Sequence, residues 1–177
     1  LEKLGYYLPL VIKPCSGGSS IGVYIVNTEE EYRQALKNSF RYENEVVVET
    51  YIKGREFACG VIDGKALTPI EIIPKNGWFD YANKYQANAT EEVCPADISE
   101  EIAERMKALT VRAFQALKLN VYSRADFILD ADGNLYCLEM NTLPGMTSAS
   151  LLPKEALADG IEYGDLCELI IQKSMEA

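Results

Sequence analysis

Arg124, Asp126, Glu139 and Asn141 are the residues of this chain best equipped for chemistry. They flank Asp130-Ala131-Asp132-Gly133, and if Asp132-Gly133 closes a two-residue hairpin, Asp126 faces Glu139 and Arg124 faces Asn141. Alternation then sets these four side chains on one face and Leu138 on the face opposite Glu139. Two carboxylates, an amide oxygen and a guanidinium converge there without histidine or cysteine. Hard oxygen ligands of this kind suit Mg²⁺, which takes one or two carboxylates together with substrate phosphates. The competing reading is an exposed sheet face whose acids are simply paired by Arg124.

Three other stretches carry weaker signals. In Cys15-Ser16-Gly17-Gly18-Ser19-Ser20-Ile21-Gly22, glycines permit close backbone approach and N–H groups can cradle phosphate oxygens. The order of residues is not that of a P-loop, and Lys13 instead stands at the end of the preceding strand. Taken alone, this stretch reads more simply as an ordinary hairpin loop. The segment from Asn76 to Tyr85 holds Trp78, Phe79, Tyr81, Lys84 and Tyr85, which suit either a packed Ω-loop or a lid over a charged ligand. The segment from Asn141 to Ser150 offers hydroxyls and backbone N–H groups suited to a carboxylate or a developing oxyanion. It also reads as a plain turn into a helix at Pro144-Gly145.

The elements that must position these residues follow from hydrophobic periodicity. Strands are expected at 8–13, ending at Pro14, and at 23–26. A helix over 29–40 opens with a capping box of Thr28 and Glu31, and a strand covers 46–49. A hairpin of 56–62 and 66–73 turns at Asp63-Gly64. Residues 74–93 show no period and are expected to form either a functional loop or a disordered one. A helix over 98–119 is opened by Asp97 or Ser99, and strands at 122–129 and 134–141 follow. One or two helices close the chain, the last near 165–175. Hairpins mixed with helices give an α+β class with a largely antiparallel sheet.

Composition narrows the chemistry further. The 177 residues are 48% apolar and 25% charged, enough to bury a core in one domain or two small lobes. A net charge of −10 argues against nucleic acid or an anionic membrane as partner. No apolar run approaches the roughly 18 residues of a membrane span, and Leu1 to Gly5 lack a signal-peptide pattern. Five dispersed cysteines, without a C-x-x-C pair, read as reduced cytosolic thiols. The absence of histidine is the most restrictive feature, because it removes Ser-His and Cys-His nucleophile pairs and every histidine base.

One combination of motifs is specific. It comprises Lys13-Pro14 with the Gly-Ser loop, Glu49-Thr50-Tyr51-Ile52, Gly54-Arg55-Glu56-Phe57, and Asp80-Tyr81 with Lys84-Tyr85. Arg124-Ala125-Asp126 and the run from Glu139 through Thr147 complete it. In this order it resembles the D-alanine–D-alanine ligases of the ATP-grasp superfamily, from about Leu8 to the C-terminus. The resemblance implies an ATP-grasp fold of two α+β lobes with ATP between them. Residues 1–49 would be part of the small lobe and 50–177 the large lobe, with a substrate domain upstream. The implied reaction joins two D-alanines for peptidoglycan synthesis in the bacterial cytoplasm, using ATP and two Mg²⁺ ions, with Mn²⁺ as an alternative.

The resemblance also assigns roles. Lys13 and Lys84 would bind phosphates; Glu49, Thr50 and Ile52 would read the adenine, and Glu56 the ribose. Trp78, Ile128 and Leu138 would pack against the base, and Asp126, Glu139 and Asn141 would hold the metal. Arg124 and the Gly145 N–H would form the oxyanion site, with Ser150 on a substrate carboxylate. Ser20 and Tyr85 join the catalytic set, Tyr85 also touching substrate. Ser19 and Tyr85 match two members of a hydrogen-bonded trio whose third, a glutamate, is expected upstream. A histidine that many relatives place near the substrate is expected upstream as well. Relatives often carry Arg-Glu or Arg-Ser before the loop's Gly-Ser-Ser, where this chain has Ser16-Gly17-Gly18.

The partners implied are D-alanine and ATP, with a homodimer for the full-length enzyme. D-serine or D-lactate as acceptor, another ATP-grasp carboxylate–amine ligase, and a nucleotide-binding module without activity are the alternatives. The pair Lys84-Tyr85 resembles the D-alanine-using branch. The 177 residues alone are expected not to make the dipeptide, because the residues that cradle the first D-alanine are expected upstream.

Overall fold

A computed structural model describes residues 5–18, 20–75 and 90–176. Ser19, Trp78, Lys84 and Tyr85, with most of the expected lid, lie outside them. The described residues form two compact units, one comprising the chain through Ile52 together with Pro74, Lys75 and Thr90, and the other Lys53–Ile73 and the chain from Glu91 onward.

The first unit is a three-stranded antiparallel sheet, β1 (Leu10–Pro14), β2 (Tyr24–Val26) and β3 (Val46–Thr50), in the order β2-β1-β3. Leu10 and Ile12 of β1 are wholly buried and pack with Val26 and with Ala35 of helix α1 (Glu29–Ser39). The expected capping box opens α1: Thr28 accepts from the Glu31 N–H, and Glu31 accepts from the Thr28 N–H. Pro14 ends β1 as expected, as its last residue, pairing with Val46 at the last rung, while the strand begins at Leu10 and not at Leu8. A missing N–H is tolerated at such an end.

The second unit is built on β4 (Gly54–Ile62), β5 (Lys65–Ala66), β6 (Ile70–Pro74), β7 (Thr90–Val93), β8 (Tyr122–Asp130) and β9 (Leu135–Asn141). The sheet order is β7-β6-β4-β8-β9, with β5 paired to β4. Helix α2 (Glu100–Ala116) seals one face: Met106 meets Phe57, Cys59, Ala125, Phe127 and Leu129. Helices α3 (Leu151–Ala158) and α4 (Tyr163–Glu176) cover the Ile62 end of the other face through Leu152, Ala156 and Leu166. Ser99, one of the two expected caps, opens α2 by accepting from the Ile102 N–H. No helix among the described residues is long and apolar enough to cross a membrane.

Three expectations are corrected. Residues 90–93 are not loop but the edge strand β7. Thr90-Glu91-Glu92-Val93 shows no apolar alternation, and charge on an exposed edge discourages further strand pairing. The hairpin at Asp63-Gly64 forms as expected, both turn residues adopting positive φ, but its second arm breaks into β5 and β6. Leu67 turns into the core beneath α3 and Thr68 bonds Asp159, so Leu67-Thr68-Pro69 leaves the regular ladder.

The third correction lies in the β8–β9 hairpin. Its turn holds Ala131, Asp132 and Gly133, because Asp130 and Asn134 close it and the Asp130 carboxylate accepts from the Asp132 and Asn134 N–H groups. The longer turn would shift the register by one, but a bulge at Leu138 restores it. Phe127 pairs with Cys137 and Asp126 with Glu139, so Leu138 has no rung of its own. Simple alternation therefore does not place Leu138 relative to Glu139. Tyr136 and Glu139, three positions apart, face Ile128 and Asp126 across the ladder.

Candidate functional site

The arginine, both acids and the asparagine meet on the face of β8 and β9 turned away from α2. Asp126 pairs with Glu139 and Arg124 with Asn141, as the two-residue turn had implied for a different reason. Arg124 grips Asp126 with both edges of its fork, Nε to Oδ1 at 2.7 Å and Nη2 to Oδ2 at 2.9 Å. The Asn141 amide donates to Asp126 Oδ2 at 2.9 Å and more weakly to Glu139 Oε1 at 3.4 Å. Arg124 and Asp126 side chains are 14% and 17% exposed, so this pair is well shielded from solvent screening. Burial works against the Arg124 charge, yet the hydrogen bonds and negative field of Asp126, with Glu155 and Glu139, raise its affinity for a proton overall.

The donor chemistry fits a hard divalent cation. Two carboxylate side chains and one amide oxygen form a partial cage, the type Mg²⁺ uses beside phosphates. No group of three or more histidine, cysteine or acidic residues capable of holding a metal occurs among the described residues. Arg124 and the Asn141 NH₂ now engage both Asp126 oxygens, so a cation chelated by that carboxylate competes with the guanidinium, and Asn141 would offer its oxygen only with the amide turned.

The same sheet face carries Glu56, which pairs with Ile128 on one side and Ile72 on the other. Glu56 is therefore set among apolar neighbours, two rungs from Asp126. Leu138 is 42% exposed at the bulge.

The segment after β9 is folded back on itself. Ser150 Oγ accepts from the Thr147 N–H at 3.1 Å and lies 2.9 Å from the Thr147 hydroxyl. A Cβ on Gly145 would come within 3.0 Å of that same oxygen. Ser150 stands at the N-cap of α3 but its side chain does not cap the helix, since it is committed to the loop. The Tyr163 hydroxyl anchors the loop from α4 by donating to the Met146 carbonyl at 2.7 Å. Gly145, Thr147 and Ser150 are thus gathered, with Gly145 exposed.

In the first unit, Lys13 and Glu49 are brought together as an ion pair at 2.8 Å on neighbouring strands β1 and β3. The Gly-Ser loop closes onto Pro14, whose ring would lie 3.1 Å from a Cβ on Gly17 and 2.9 Å from one on Gly22. Glu43 accepts from the Ser16 N–H with both carboxylate oxygens, tying down the loop's first turn. Ser20 adopts positive φ in its second turn. Thr50 ends β3, and the Tyr51 N–H donates to the Pro9 carbonyl, carrying the chain toward Ile52.

One residue escaped sequence reasoning. Glu155 of α3 is wholly buried, and neither carboxylate oxygen has a partner meeting hydrogen-bond geometry. Burial pushes its carboxyl up to about 8; the nearby Arg124 charge opposes the shift, and Asp126 adds to it. A signal was present, since Glu155 follows Leu151 by one helical turn and so falls on the apolar stripe.

An oxygen-donor cluster with an arginine, on an antiparallel sheet and free of histidine, has the donor chemistry suited to a divalent cation beside an anionic ligand. Comparison makes that class specific: the family described as D-ala D-ala ligase C-terminus matches residues 1–172, and the chain belongs to it. It is 45% identical to a D-alanine–D-alanine ligase of Pediococcus pentosaceus, over 96% of this chain and 48% of the relative. The D-alanine–D-alanine ligase structure from Bacillus anthracis superposes with a TM-score of 0.85 at 45% identity, covering 99% of this chain and 56% of that one. A second structure of the Bacillus anthracis enzyme, complexed with ATP, gives a TM-score of 0.83 at 41% identity, over 99% and 54%. The chain spans about half the length of the curated relatives it matches.

Proposed function

We propose that this chain supplies the nucleotide- and metal-binding part of an ATP-dependent D-alanine–D-alanine ligase. The carrying observation is the direct facing of Asp126 and Glu139, with Arg124 and Asn141 paired two rungs away, in a member of this family. Asp126, Glu139 and Asn141 hold two Mg²⁺ ions, or Mn²⁺. When bound, the metal neutralises charge on the transferring phosphoryl group.

The chain's own residues bind and orient. Lys13 and Lys84 contact the ATP phosphates, and Glu49, Thr50 and Ile52 read the adenine. Glu56 takes the ribose, and Ile128, Leu138 and Trp78 pack on the base. The Gly145 N–H and Arg124 stabilise the oxyanion formed when the second D-alanine amine attacks the acyl phosphate of the first. Ser150 holds a substrate carboxylate, with Tyr85 and Ser20 completing the site. None of these steps needs an enzyme nucleophile, which suits a chain without histidine. ATP as co-substrate places the work in the bacterial cytoplasm.

Product analysis tests this reading. The full-length protein is incubated with Mg²⁺ and ATP plus D-alanine alone, or D-alanine with D-serine or D-lactate. D-alanyl-D-alanine, ADP and phosphate in equal amounts are expected, with D-alanine preferred as acceptor. Predominant mixed products would move the assignment to a D-serine or D-lactate ligase, and ATP turnover indifferent to D-alanine would refute it.

A further inference from the structure

Glu155 lies outside the roles just assigned, yet it sits against one of their residues. Its Oε2 would be 2.7 Å from a Cβ placed on Gly60. Gly60 is the direct cross-strand partner of Arg124 in the β4–β8 ladder. Directly opposed residues project to the same face with Cβ positions about 5 Å apart. The Glu155 carboxyl thus occupies the space that a side chain at position 60 would take, beside the stem of Arg124. The two groups feel each other's charge, but no hydrogen bond joins them in this structure.

Arg124 meanwhile covers both oxygens of Asp126. A cation that engages both oxygens of Asp126 competes with that guanidinium, and a shielded guanidinium without a counter-charge is costly. Resting on the metal assignment above, we propose that Glu155 is a positioning residue that provides the second seat for Arg124 when Asp126 is taken by a divalent cation. The seat is at hand: a buried carboxyl near Arg124 with no side-chain hydrogen-bond partner. Gly60 is what leaves room for it, since any Cβ there would strike Glu155 and also Leu152 Cδ1, at 2.4 Å. Drawing Arg124 toward Glu155 uncovers Asp126 and fixes the guanidinium.

The test is direct binding of Mn²⁺ with ADP, followed by calorimetry and by the Mn²⁺ paramagnetic signal. The full-length wild type is compared with Glu155→Gln, Arg124→Met and the double variant. Glu155→Gln keeps the shape and should weaken Mn²⁺ binding about tenfold, as loss of groups behind a metal ligand commonly does. In the Arg124→Met background nothing competes for Asp126, so adding Glu155→Gln should change nothing. Glu155→Met, which removes a buried unpaired carboxyl, provides a second variant that folds if the amide does not, and should weaken binding equally. Wild-type affinity in Glu155→Gln would overturn the inference, and so would an equal loss with and without Arg124, since that marks a structural effect. Failure of the wild type to bind Mn²⁺–ADP would overturn the metal assignment and this inference together. Retained coupling without D-alanine-dependent turnover would support the inference and count against the ligase reading alone.

Discussion

Asp126 and Glu139 are direct partners across the β8–β9 ladder, and Leu138, beside Glu139, is the residue the ladder skips. The acids face each other because a three-residue turn and a one-residue bulge offset one another. Glu139 is exposed, and the Asn141 amide approaches its Oε1 at 3.4 Å. Its role is therefore separable from folding.

Glu139→Gln should accordingly remove activity and leave stability alone. A loss of at least about a hundredfold in D-alanine-dependent phosphate release is expected, the upper range for even indirect metal partners. Unfolding free energy should change by about 0.5 kcal/mol or less, as at other exposed sites. Near-normal turnover in this variant would remove Glu139 from the metal set.

Stability should fall with rising pH on account of Glu155. Its carboxyl is raised from an ordinary value of 4.5 to about 8, first by burial. Between those values the folded state holds a proton that the unfolded state has lost. The contribution is thus complete below about pH 4.5 and disappears as pH rises through about 8, an effect on the order of a few kcal/mol. Denaturant unfolding at pH 5, 7 and 9 checks it: wild type should lose more stability over this range than Glu155→Gln. Parallel curves for the two proteins would show that Glu155 is not held protonated.

Gly60→Ala should be costly for a single methyl group. The added carbon would meet Leu152 Cδ1 at 2.4 Å and Glu155 Oε2 at 2.7 Å, both from the buried face of α3. Overpacking of this kind costs about 1–3 kcal/mol. Thermal denaturation reads the loss; a midpoint equal to wild type would mean that α3 shifts freely over the sheet.

Much of this architecture follows from local pattern. Leu10 and Ile12 alternate inward, Thr28 and Glu31 cap α1, and Ser99 caps α2, as their residue types require. The features that sequence did not disclose are set by contacts from distant segments. Thr68 leaves the ladder for Asp159, 91 positions away, and β7 is held partly through Glu92 and Lys154 of α3, 62 positions away. The bulge at Leu138 has no local marker, because Leu135 through Glu139 shows neither glycine nor proline. Of the candidate site, the four residues on β8 and β9 pair as spacing suggested, but only because the bulge offsets a turn one residue longer than the spacing assumed. Glu155 could not be linked to Arg124, since that link runs through Gly60 on a third strand.

The claim most exposed to test is that this site serves transfer of a phosphoryl group to a carboxylate. D-alanine labelled with ¹⁸O in both carboxylate oxygens, supplied with ATP and Mg²⁺ to the full-length protein, reads that step directly. If the carboxylate attacks the γ-phosphorus and the second amine then expels phosphate, one labelled oxygen leaves with each phosphate released. Mass spectrometry of the phosphate should show a single ¹⁸O per dipeptide formed, and the labelled phosphate should vanish in Glu139→Gln. Phosphate released without label, its new oxygen coming from water, would contradict the account.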